Sequence, residues 1–252
     1  MRSAGDKTRL ALPSICILAG GRGTRLGGLT DDAPKPLIEV AGRPFIEHIL
    51  EGLSDAGARH VVLSIGYLAA QFSEVLGDGS RFGLKLDFVE DGNLPAGTAG
   101  GVRNCLPLLD DSFIVMYGDS LLRVNPDELV NAHRCGKRPG TMTVMRSALG
   151  YESANCVVTG DAISAYSKNP PPPEADYIDY GMLMFEKQAF EEFDGSDLAD
   201  LQSALARSGR LTAFVAETPY TEIGTPDALV AAEELLRKDN DSTKGKVHDP
   251  RA

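Results

Sequence analysis

The 252-residue sequence predicts an α/β domain with a mixed, mostly parallel sheet flanked by helices and carrying β-ribbon insertions. In the first half, short apolar runs alternate with segments whose apolar residues recur at helical spacing, as in a parallel sheet covered on both faces. In the second half, short strand candidates follow one another with turns between them, which is typical of inserted β-ribbons. Hydrophobic residues make up 42% of the chain, a proportion that favours a packed core.

The first half supplies the expected parallel strands. They are predicted at residues 14–19, 60–65, 84–89 and 112–117. Nearly continuous apolar runs such as 14–19 fit strands buried on both faces. Helices are expected where apolar residues recur every three or four positions, from Phe45 to a stop near Gly57 and again over residues 69–76.

The second half supplies the expected insertions and the end of the domain. Strands are predicted at residues 141–146, 155–159, 162–167 and 180–185, with Gly160 and Asp161 as a hairpin turn. Helices are predicted at 196–208 and 226–237. We therefore expect one domain over residues 14–237, with a disordered leader at 1–13 and a polar, disordered tail at 238–252.

Charge and cysteine content limit the partners that the protein can have. Acidic residues exceed basic ones by 36 to 25, so we expect no broad basic face and no nucleic-acid partner. The apolar runs are much shorter than the ~20 residues of a membrane span, so no membrane partner is expected. Four cysteines without a CxxC pair predict neither zinc nor disulfides, which favours a reducing, cytoplasmic location.

A glycine-rich segment follows the first predicted strand. Residues 18–37 read LAGGRGTRLGGLTDDAPKPL, and the glycine loop, residues 20–28, has five glycines in nine positions. Glycines at the end of a strand can turn several N–H groups toward one point, which suits a phosphate. Arg22, Arg25 and Lys35 add positive charge. Because the protein as a whole is acidic, these features predict a bound polyanion.

Other known glycine loops do not match this one. A P-loop requires Gly-Lys-Ser/Thr, which the segment lacks. The dinucleotide-binding loop and the kinase loop require a third glycine where Leu26 stands. An ordinary glycine-rich turn remains as the alternative.

The same segment resembles the signature of the sugar-1-phosphate nucleotidyltransferases, G-G-x-G-T-R-L followed by x-P-K-P-L. The matching residues are Gly20, Gly21, Gly23, Thr24, Arg25, Leu26, Pro34, Lys35, Pro36 and Leu37. The resemblance implies a Rossmann-like nucleotidyltransferase fold. It also implies transfer of a nucleotidyl group from an NTP to a sugar 1-phosphate, with Mg²⁺ as cofactor and pyrophosphate as product.

The resemblance implies the type of reaction more specifically than it implies the substrates. The strings YGDS, YIDYG and EIGTP are similar to those of small bacterial heptose-1-phosphate guanylyltransferases, which favours GTP and a heptose 1-phosphate. Glucose- or mannose-1-phosphate enzymes that use UTP, dTTP or GTP are the alternative, and a transferase for a non-sugar acceptor is more distant. A non-catalytic regulatory subunit is disfavoured because the expected catalytic residues are all present. A homo-oligomer is left open.

The resemblance assigns roles to individual residues. Arg25, Lys35 and Asp119 are the implied catalytic residues: Arg25 for the β- and γ-phosphates, Lys35 for the α-phosphate and the sugar phosphate. The implied nucleotide-binding residues are Leu18, Ala19, Gly20, Gly21, Gly23, Thr24, Gly97, Thr98 and Gly100. The implied sugar-phosphate-binding residues are Asn155, Lys168, Tyr180 and Gly181.

Two carboxylates are expected to hold the metal. Asp119 follows the strand predicted at 112–117, so it should project into the crevice at the carboxyl ends of parallel strands. Glu222 lies in TEIGTPDAL, which resembles the family's D-I-G-T-P segment with Glu in place of Asp. The alternatives are a turn-capping Asp119 and a surface Glu222, and the metal site requires that the two side chains meet in space.

Recognition of the base and the sugar is expected from two further segments. Residues 95–101, PAGTAGG, resemble the family's P-x-G-T-A-x base pocket, and Asp91 just before them could accept hydrogen bonds from guanine. The alternative for this segment is a helix start capped by Thr98. Ser167 stands before Lys168 where the family often has Glu, so the usual recognition of glucose is not expected.

Overall fold

The computed structural model describes residues 12–92, 96–147 and 153–244, with side chains up to Asp239. In chain order the strands are β1 (Ile15–Leu18), β2 (Glu39–Val40), β3 (Arg43–Pro44), β4 (His60–Ile65), β5 (Lys85–Glu90), β6 (Ser112–Tyr117), β7 (Ser120–Leu121), β8 (Gly140–Arg146), β9 (Cys156–Thr159), β10 (Ala162–Tyr166), β11 (Tyr177–Glu186), β12 (Leu211–Ala216) and β13 (Thr221–Glu222). The helices are α1 (Phe45–Asp55), α2 (Ala70–Leu76), α3 (Gly97–Cys105), α4 (Pro126–Gly136), α5 (Gln188–Glu191), α6 (Leu198–Arg207) and α7 (Pro226–Lys244).

One mixed sheet runs through the molecule. Within the described residues its strand order is β5-β4-β1-β6-β11-β8-β12-β10-β9. The first four strands of this order are parallel to one another. β11 runs antiparallel to both β6 and β8, and β9 and β10 form an antiparallel hairpin. The prediction of a Rossmann-like mixed α/β sheet with β-ribbon insertions is confirmed.

The core lies on both faces of this sheet, because successive strand side chains point to opposite faces. On β1, Ile15 and Ile17 pack into one layer with residues of α1 such as Phe45. Cys16 packs into the opposite layer with residues of α3 and α6, among them Val102. The apolar runs of the first half are therefore buried from both sides, and the carboxyl ends of β1, β4, β5 and β6 meet at one edge.

The elements near both chain ends extend past the predicted limits. The last helix continues beyond Arg237 to Lys244, while the disordered leader and tail stay predictions. The sequence has no glycine or proline after Pro226 until Gly245, and Arg123 pairs with Asp239 at 2.8 Å. At the other end, Leu12 of the predicted leader is buried in the core. Residues 1–11 and 245–252 lie outside the described residues.

Three helices, α3, α4 and α5, were not expected from the periodicity, and neither were the strand β12 and the two-residue strands β2, β3, β7 and β13. α4 has a readable start, because Asn125 accepts a hydrogen bond from the Asp127 N–H at 3.1 Å and Pro126 is the first helical residue. α3 is rich in glycine, and β12 is short. None of the helices in the described part of the chain combines the length and the apolar character that crossing a membrane requires.

Candidate active site

A cleft of about 380 Å³ opens where the carboxyl ends of β1, β4, β5 and β6 meet. The predicted site residues that line it are Leu18, Ala19, Gly20, Gly21, Gly23, Thr24, Arg25, Lys35, Gly97, Thr98 and Asp119. It is further lined by Pro36, Ser64, Asp91, Tyr117 and Gly224. The glycine loop, the two predicted catalytic cations and one predicted metal carboxylate therefore share a single cleft.

Two glycines of the loop, Gly23 and Gly27, have positive φ, and Gly23 is the one that packs against other residues. Gly23 has φ 63°, and a Cβ there would lie 3.0 Å from carbon atoms of Lys35 and Thr30. Its carbonyl accepts the Leu26 N–H at 2.9 Å, which begins a turn of 3-10 helix over Thr24–Thr30. A side chain at Gly23 would thus be strained and would crowd Lys35. The loop and the catalytic lysine are packed as one unit.

Lys35 and Asp119 form an ion pair at the floor of the cleft. The Lys35 Nζ lies 2.6 Å from Asp119 Oδ2, and the lysine side chain is only 8% exposed. Lys35 begins a short 3-10 turn between Pro34 and Pro36, which aims its side chain inward. A buried ammonium requires a negative partner, and Asp119 supplies it here. A phosphate entering the cleft would compete for the same ammonium.

The two predicted metal carboxylates lie in neighbouring segments: Glu222 is on β13, and Asp119 immediately precedes β7. β13 pairs with β7 so that Glu222 stands opposite Ser120, and the Ile223 N–H donates to the Asp119 carbonyl at 3.1 Å. A Cβ on Gly224 would lie 3.1 Å from both carboxylate oxygens of Glu222. Glu222 itself lines a neighbouring, largely apolar cavity of about 670 Å³, while the adjacent Gly224 lines the cleft.

This donor set suits a hard cation that is completed by phosphate. The described residues assemble no group of three or more His, Cys, Asp and Glu side chains. Mg²⁺ typically takes one or two carboxylates and obtains its other oxygens from phosphates and water. Asp119, which lines the cleft, meets that minimum by itself, and the backbone pairing of its segment with the Glu222 segment leaves Glu222 as the predicted second ligand, so the residues present fit the metal that the family resemblance implies.

Asp91 brings a carboxylate without a cation into the same cleft. Its Oδ1 accepts a hydrogen bond from Ser64 Oγ at 3.1 Å, and burial raises its pKa above the ordinary value of 3.8. A Cβ on Gly20 would come within 2.7 Å of its Oδ2. In the described part of the chain no lysine or arginine neutralises this group. It is therefore a lone acceptor in a cleft whose other charges are mainly cationic.

The α3 segment contributes differently from the prediction. Gly97 and Thr98 line the cleft, but Gly100 is buried and its N–H faces the Ser196 carbonyl at 3.4 Å. One position later, a Cβ on Gly101 would lie 2.6 Å from Ser64 Oγ, so the buried Gly101 packs closely behind a residue that lines the cleft. The reason is helical geometry, because α3 turns residue 100 away from the strands. Pro95 lies outside the described residues.

Thr98 does not cap α3, as the alternative interpretation expected. Its hydroxyl donates to Asp197 Oδ1 at 3.0 Å and accepts the Leu198 N–H at 2.8 Å. Leu198 is the first residue of α6, so Thr98 satisfies an N–H at the start of the neighbouring helix. This contact ties the base side of the cleft to the second half of the domain.

Two of the predicted sugar residues serve the fold. Tyr180 is buried, and its hydroxyl donates to the Thr218 carbonyl at 2.8 Å and accepts the Arg123 N–H at 3.1 Å. Strand alternation turns Tyr180 into the interior and it is not among the residues that line the cleft, so its contact with the sugar phosphate stays a prediction. The Asn155 Oδ1 accepts the Asp179 N–H at 3.0 Å and so pins β11 to the β9 hairpin.

The other two predicted sugar residues lie beside a cleft residue that the sequence did not reveal. The Lys168 Nζ is 6.0 Å from the centre of the Tyr117 ring, and a Cβ on Gly181 would lie 3.5 Å from the same ring. Tyr117 lines the cleft, and burial raises the pKa of its hydroxyl. Its place at the carboxyl end of β6, two residues before Asp119, was the available signal.

Comparisons with known proteins agree with this geometry. The chain is 32% identical over 232 residues to a mannose-1-phosphate guanylyltransferase of Mycobacterium tuberculosis, an alignment that covers 88% of this chain and 64% of the relative. It is 42% identical over 113 residues to an N-acetylmuramate alpha-1-phosphate uridylyltransferase of Neisseria meningitidis, covering 43% of this chain and 48% of that protein. The chain thus spans about half to two thirds of the length of such curated relatives.

The fold has a close match among solved structures. The crystal structure of HddC from Yersinia pseudotuberculosis superposes with a TM-score of 0.76 at 24% identity, covering 89% of this chain and 100% of that one. The Nucleotidyl transferase family model matches residues 15–239, which include the glycine loop, Lys35, Asp119 and Glu222. The chain therefore belongs to the nucleotidyl transferase family.

Proposed function

We propose that the protein transfers a guanylyl group from GTP to the phosphate of a sugar 1-phosphate, with a heptose 1-phosphate as acceptor, and releases pyrophosphate. One observation carries this proposal: the glycine loop, Arg25, Lys35 and Asp119 line one cleft at the carboxyl ends of the parallel strands. Loop N–H groups and two cations suit a triphosphate, while a carboxylate beside them suits its metal.

The reaction needs no protein nucleophile. A phosphate oxygen of the sugar phosphate forms a bond to the α-phosphorus of GTP as the bond to the β-phosphate oxygen breaks, and pyrophosphate leaves with that electron pair. Because the sugar phosphate is already an anion, the protein's task is to position two anions and offset their charge. Lys35, held at the cleft floor, is placed to bridge the α-phosphate and the sugar phosphate. Arg25, exposed on the loop, is placed to stabilise the departing pyrophosphate.

Asp119 and Glu222 are the residues that would hold Mg²⁺, which when bound would offset phosphate charge and draw electron density from the α-phosphorus. Their backbones are joined by the β7–β13 pairing, so neither carboxylate depends on a flexible loop for its place. Without substrate, the ion pair with Lys35 keeps Asp119 oriented. When substrate binds, its phosphates would share the Lys35 ammonium with Asp119.

The lone carboxylate of Asp91 supports GTP as the nucleotide. Guanine presents two adjacent donors, N1–H and N2–H, which match the two oxygens of a carboxylate. Uracil and thymine present one donor between two carbonyls, and adenine and cytosine present a donor beside an acceptor. Within the described part of the chain no cation neutralises the Asp91 carboxylate, so it favours guanine and repels the carbonyl oxygens of uracil and thymine.

The acceptor is supported less directly. Lys168 lies against Tyr117 at the cleft wall and can reach an acceptor phosphate there. Ser167 replaces the glutamate that glucose-using members often carry, which favours another sugar. Mannose 1-phosphate is the second candidate, because a relative that is 32% identical is named a mannose-1-phosphate guanylyltransferase.

The cellular setting belongs to the same proposal. The four cysteines are free thiols, as expected in the reducing cytoplasm, where the small-molecule substrates GTP and sugar 1-phosphate are available. An activated sugar made there would feed polysaccharide biosynthesis. We propose neither a nucleic-acid partner nor a membrane partner.

The test is a pyrophosphate-release assay with Mg²⁺ over a matrix of ATP, CTP, GTP, UTP and dTTP against heptose, mannose and glucose 1-phosphates. We expect the largest kcat/KM with GTP and a heptose 1-phosphate. A higher value with GTP and mannose 1-phosphate selects the second candidate. No release with any pair refutes the catalytic proposal.

A further inference from the structure

The glycine loop has little internal support for its shape. Its hydrogen bonds are all local: the Leu26 N–H donates to the Gly23 carbonyl at 2.9 Å, the Thr30 hydroxyl lies 3.1 Å from the Gly27 carbonyl and 3.4 Å from the Gly23 carbonyl, and the Asp31 N–H lies 3.4 Å from the Gly28 carbonyl. The Leu29 side chain, just after the loop, is 53% exposed. Glycine-rich backbone loses much conformational entropy when it is ordered, so a loop of this kind needs contacts from outside.

Tyr67 supplies such contacts at three points along the loop. Its N–H faces the Gly20 carbonyl at 3.4 Å, at the start of the loop. Its ring lies under the Arg22 guanidinium, 5.4 Å from the ring centre. Its hydroxyl donates to the Asp31 carbonyl at 2.8 Å, beyond the end of the loop. One residue thus contacts both ends of the segment that carries Arg22 and Arg25, through its backbone at Gly20 and through its side chain at Arg22 and Asp31.

The surrounding backbone is shaped to place this tyrosine. A Cβ on Gly66 would lie 3.1 Å from the Gly20 carbonyl oxygen, so a side chain there would push the two segments apart. Leu68 has φ 52°, a left-handed conformation that is costly for a leucine. One turn later, the Gln71 side chain donates to the Asp32 carbonyl at 3.0 Å. The turn at Leu68 and the start of α2 therefore place the Tyr67 hydroxyl against the Asp31 carbonyl and the Gln71 amide against the Asp32 carbonyl, just beyond the glycine loop.

We propose that Tyr67 and Gln71 form a clamp that holds the glycine loop in its triphosphate-binding shape, with the Arg22 guanidinium stacked on the Tyr67 ring as one of its contacts. Neither clamp residue lines the cleft, so both are positioning residues that act through the loop. The proposal rests on the proposed function for its kinetic consequence. Its structural consequence, the order of the loop, is independent of any reaction.

The first experiment measures loop order without substrate. Arg22 and Arg25 are exposed trypsin sites inside the loop, and cleavage there requires local opening. We expect Tyr67→Leu to raise the cleavage rate at these two arginines, followed by mass spectrometry, by about tenfold, because a hydrogen bond and a cation–π contact are lost. Tyr67→Phe keeps the ring and loses only the hydroxyl, so its increase should be about threefold.

The matched control uses a second arginine–tyrosine pair. Arg146 lies 4.9 Å from the centre of the Tyr177 ring, away from the cleft. Tyr177→Leu makes the same substitution and should leave cleavage at Arg22 and Arg25 within twofold of wild type. An equal increase in this control would mean that the loop responds to general destabilisation, and it would overturn the clamp.

The second experiment measures NTP kinetics by pyrophosphate release. Tyr67→Leu should raise the KM for the nucleotide about tenfold and change kcat less than threefold, with partial rescue in Tyr67→Phe. Unchanged cleavage and unchanged nucleotide KM in Tyr67→Leu would refute the clamp. If the wild type released no pyrophosphate with any substrate pair, the proposed function would fail, and the cleavage rates would still decide the clamp.

Discussion

The nucleotide side and the acceptor side of the cleft differ in how directly their residues follow from the sequence. On the proposed nucleotide side, every predicted residue of the glycine loop and of α3 except Gly100 lines the cleft. On the acceptor side, Tyr180 and Asn155 turn out to hold strands together, and Lys168 and Gly181 border Tyr117 instead. The difference arises because phosphate is bound by backbone of a local motif, whereas the sugar must be met by side chains projecting from strands.

The largest expected effect tests the nucleotide side. Arg25→Ala, Lys35→Ala and Asp119→Ala should each lower kcat by on the order of 10²-fold or more, because each removes charge that stabilises the transferring phosphates. The measurement is steady-state pyrophosphate release at saturating GTP and sugar phosphate. Full activity of Asp119→Ala in excess Mg²⁺ would contradict its role as a metal ligand.

Matched surface variants control for the loss of a charge alone. Arg146→Ala, Lys187→Ala and Asp161→Ala each break an ion pair outside the cleft. Because exposed ion pairs contribute about 0–1 kcal/mol, these variants should keep kcat within about twofold of wild type.

The second effect concerns the choice of base. Asp91→Asn replaces one acceptor oxygen with a donor, so it should lower the preference for GTP over the other nucleotides about tenfold, read as a ratio of kcat/KM values. Glu90→Gln, at the exposed neighbouring position, should leave this ratio unchanged.

The same carboxylate predicts a pH dependence. Burial raises the pKa of Asp91, and a protonated carboxyl cannot accept two hydrogen bonds from guanine. The KM for GTP should therefore rise as the pH falls through this raised pKa, and it should be flatter in Asp91→Asn. An identical pH profile in the variant would exclude Asp91 from base recognition.

The third effect probes the acceptor side. Lys168→Ala should raise the KM for the sugar 1-phosphate about tenfold, because a charged hydrogen bond to phosphate is lost, and should leave the KM for GTP unchanged. Initial rates with each substrate varied in turn separate the two constants. Equal increases in both would mean that Lys168 serves the nucleotide instead.

The smallest effect would confirm that Tyr180 belongs to the fold. Tyr180→Phe removes a buried hydroxyl that bonds Thr218 and Arg123, so it should lower the free energy of unfolding by about 1 kcal/mol. Denaturant unfolding measures this loss. The KM for the sugar phosphate should stay within twofold, and an increase of tenfold at unchanged stability would support the predicted sugar contact.

The predictions from sequence were accurate where a pattern is local. Strands β4 and β6 have the predicted limits, because continuous apolar runs flanked by polar residues mark a buried strand clearly. α3 is less regular in sequence, and its glycines hid which residues face the cleft, so Gly100 was expected there although only Gly97 and Thr98 of this helix line it. Asp91 follows the end of β5, and Tyr117 is the last residue of β6. These positions place both residues near the cleft, but the sequence does not show which way their side chains point.

The amino-acid sequence alone determined the glycine loop, the cations within it and the parallel strands, because glycine conformation and apolar periodicity act between near neighbours. Tertiary structure decided which distant groups meet. The β7–β13 pairing brings Glu222 beside the Asp119 segment, the turn at Pro34 aims Lys35 at Asp119, and the turn around Leu68 carries Tyr67 to the loop. These contacts depend on strand order and side-chain direction, which arise only when the sheet is assembled and both of its faces are packed.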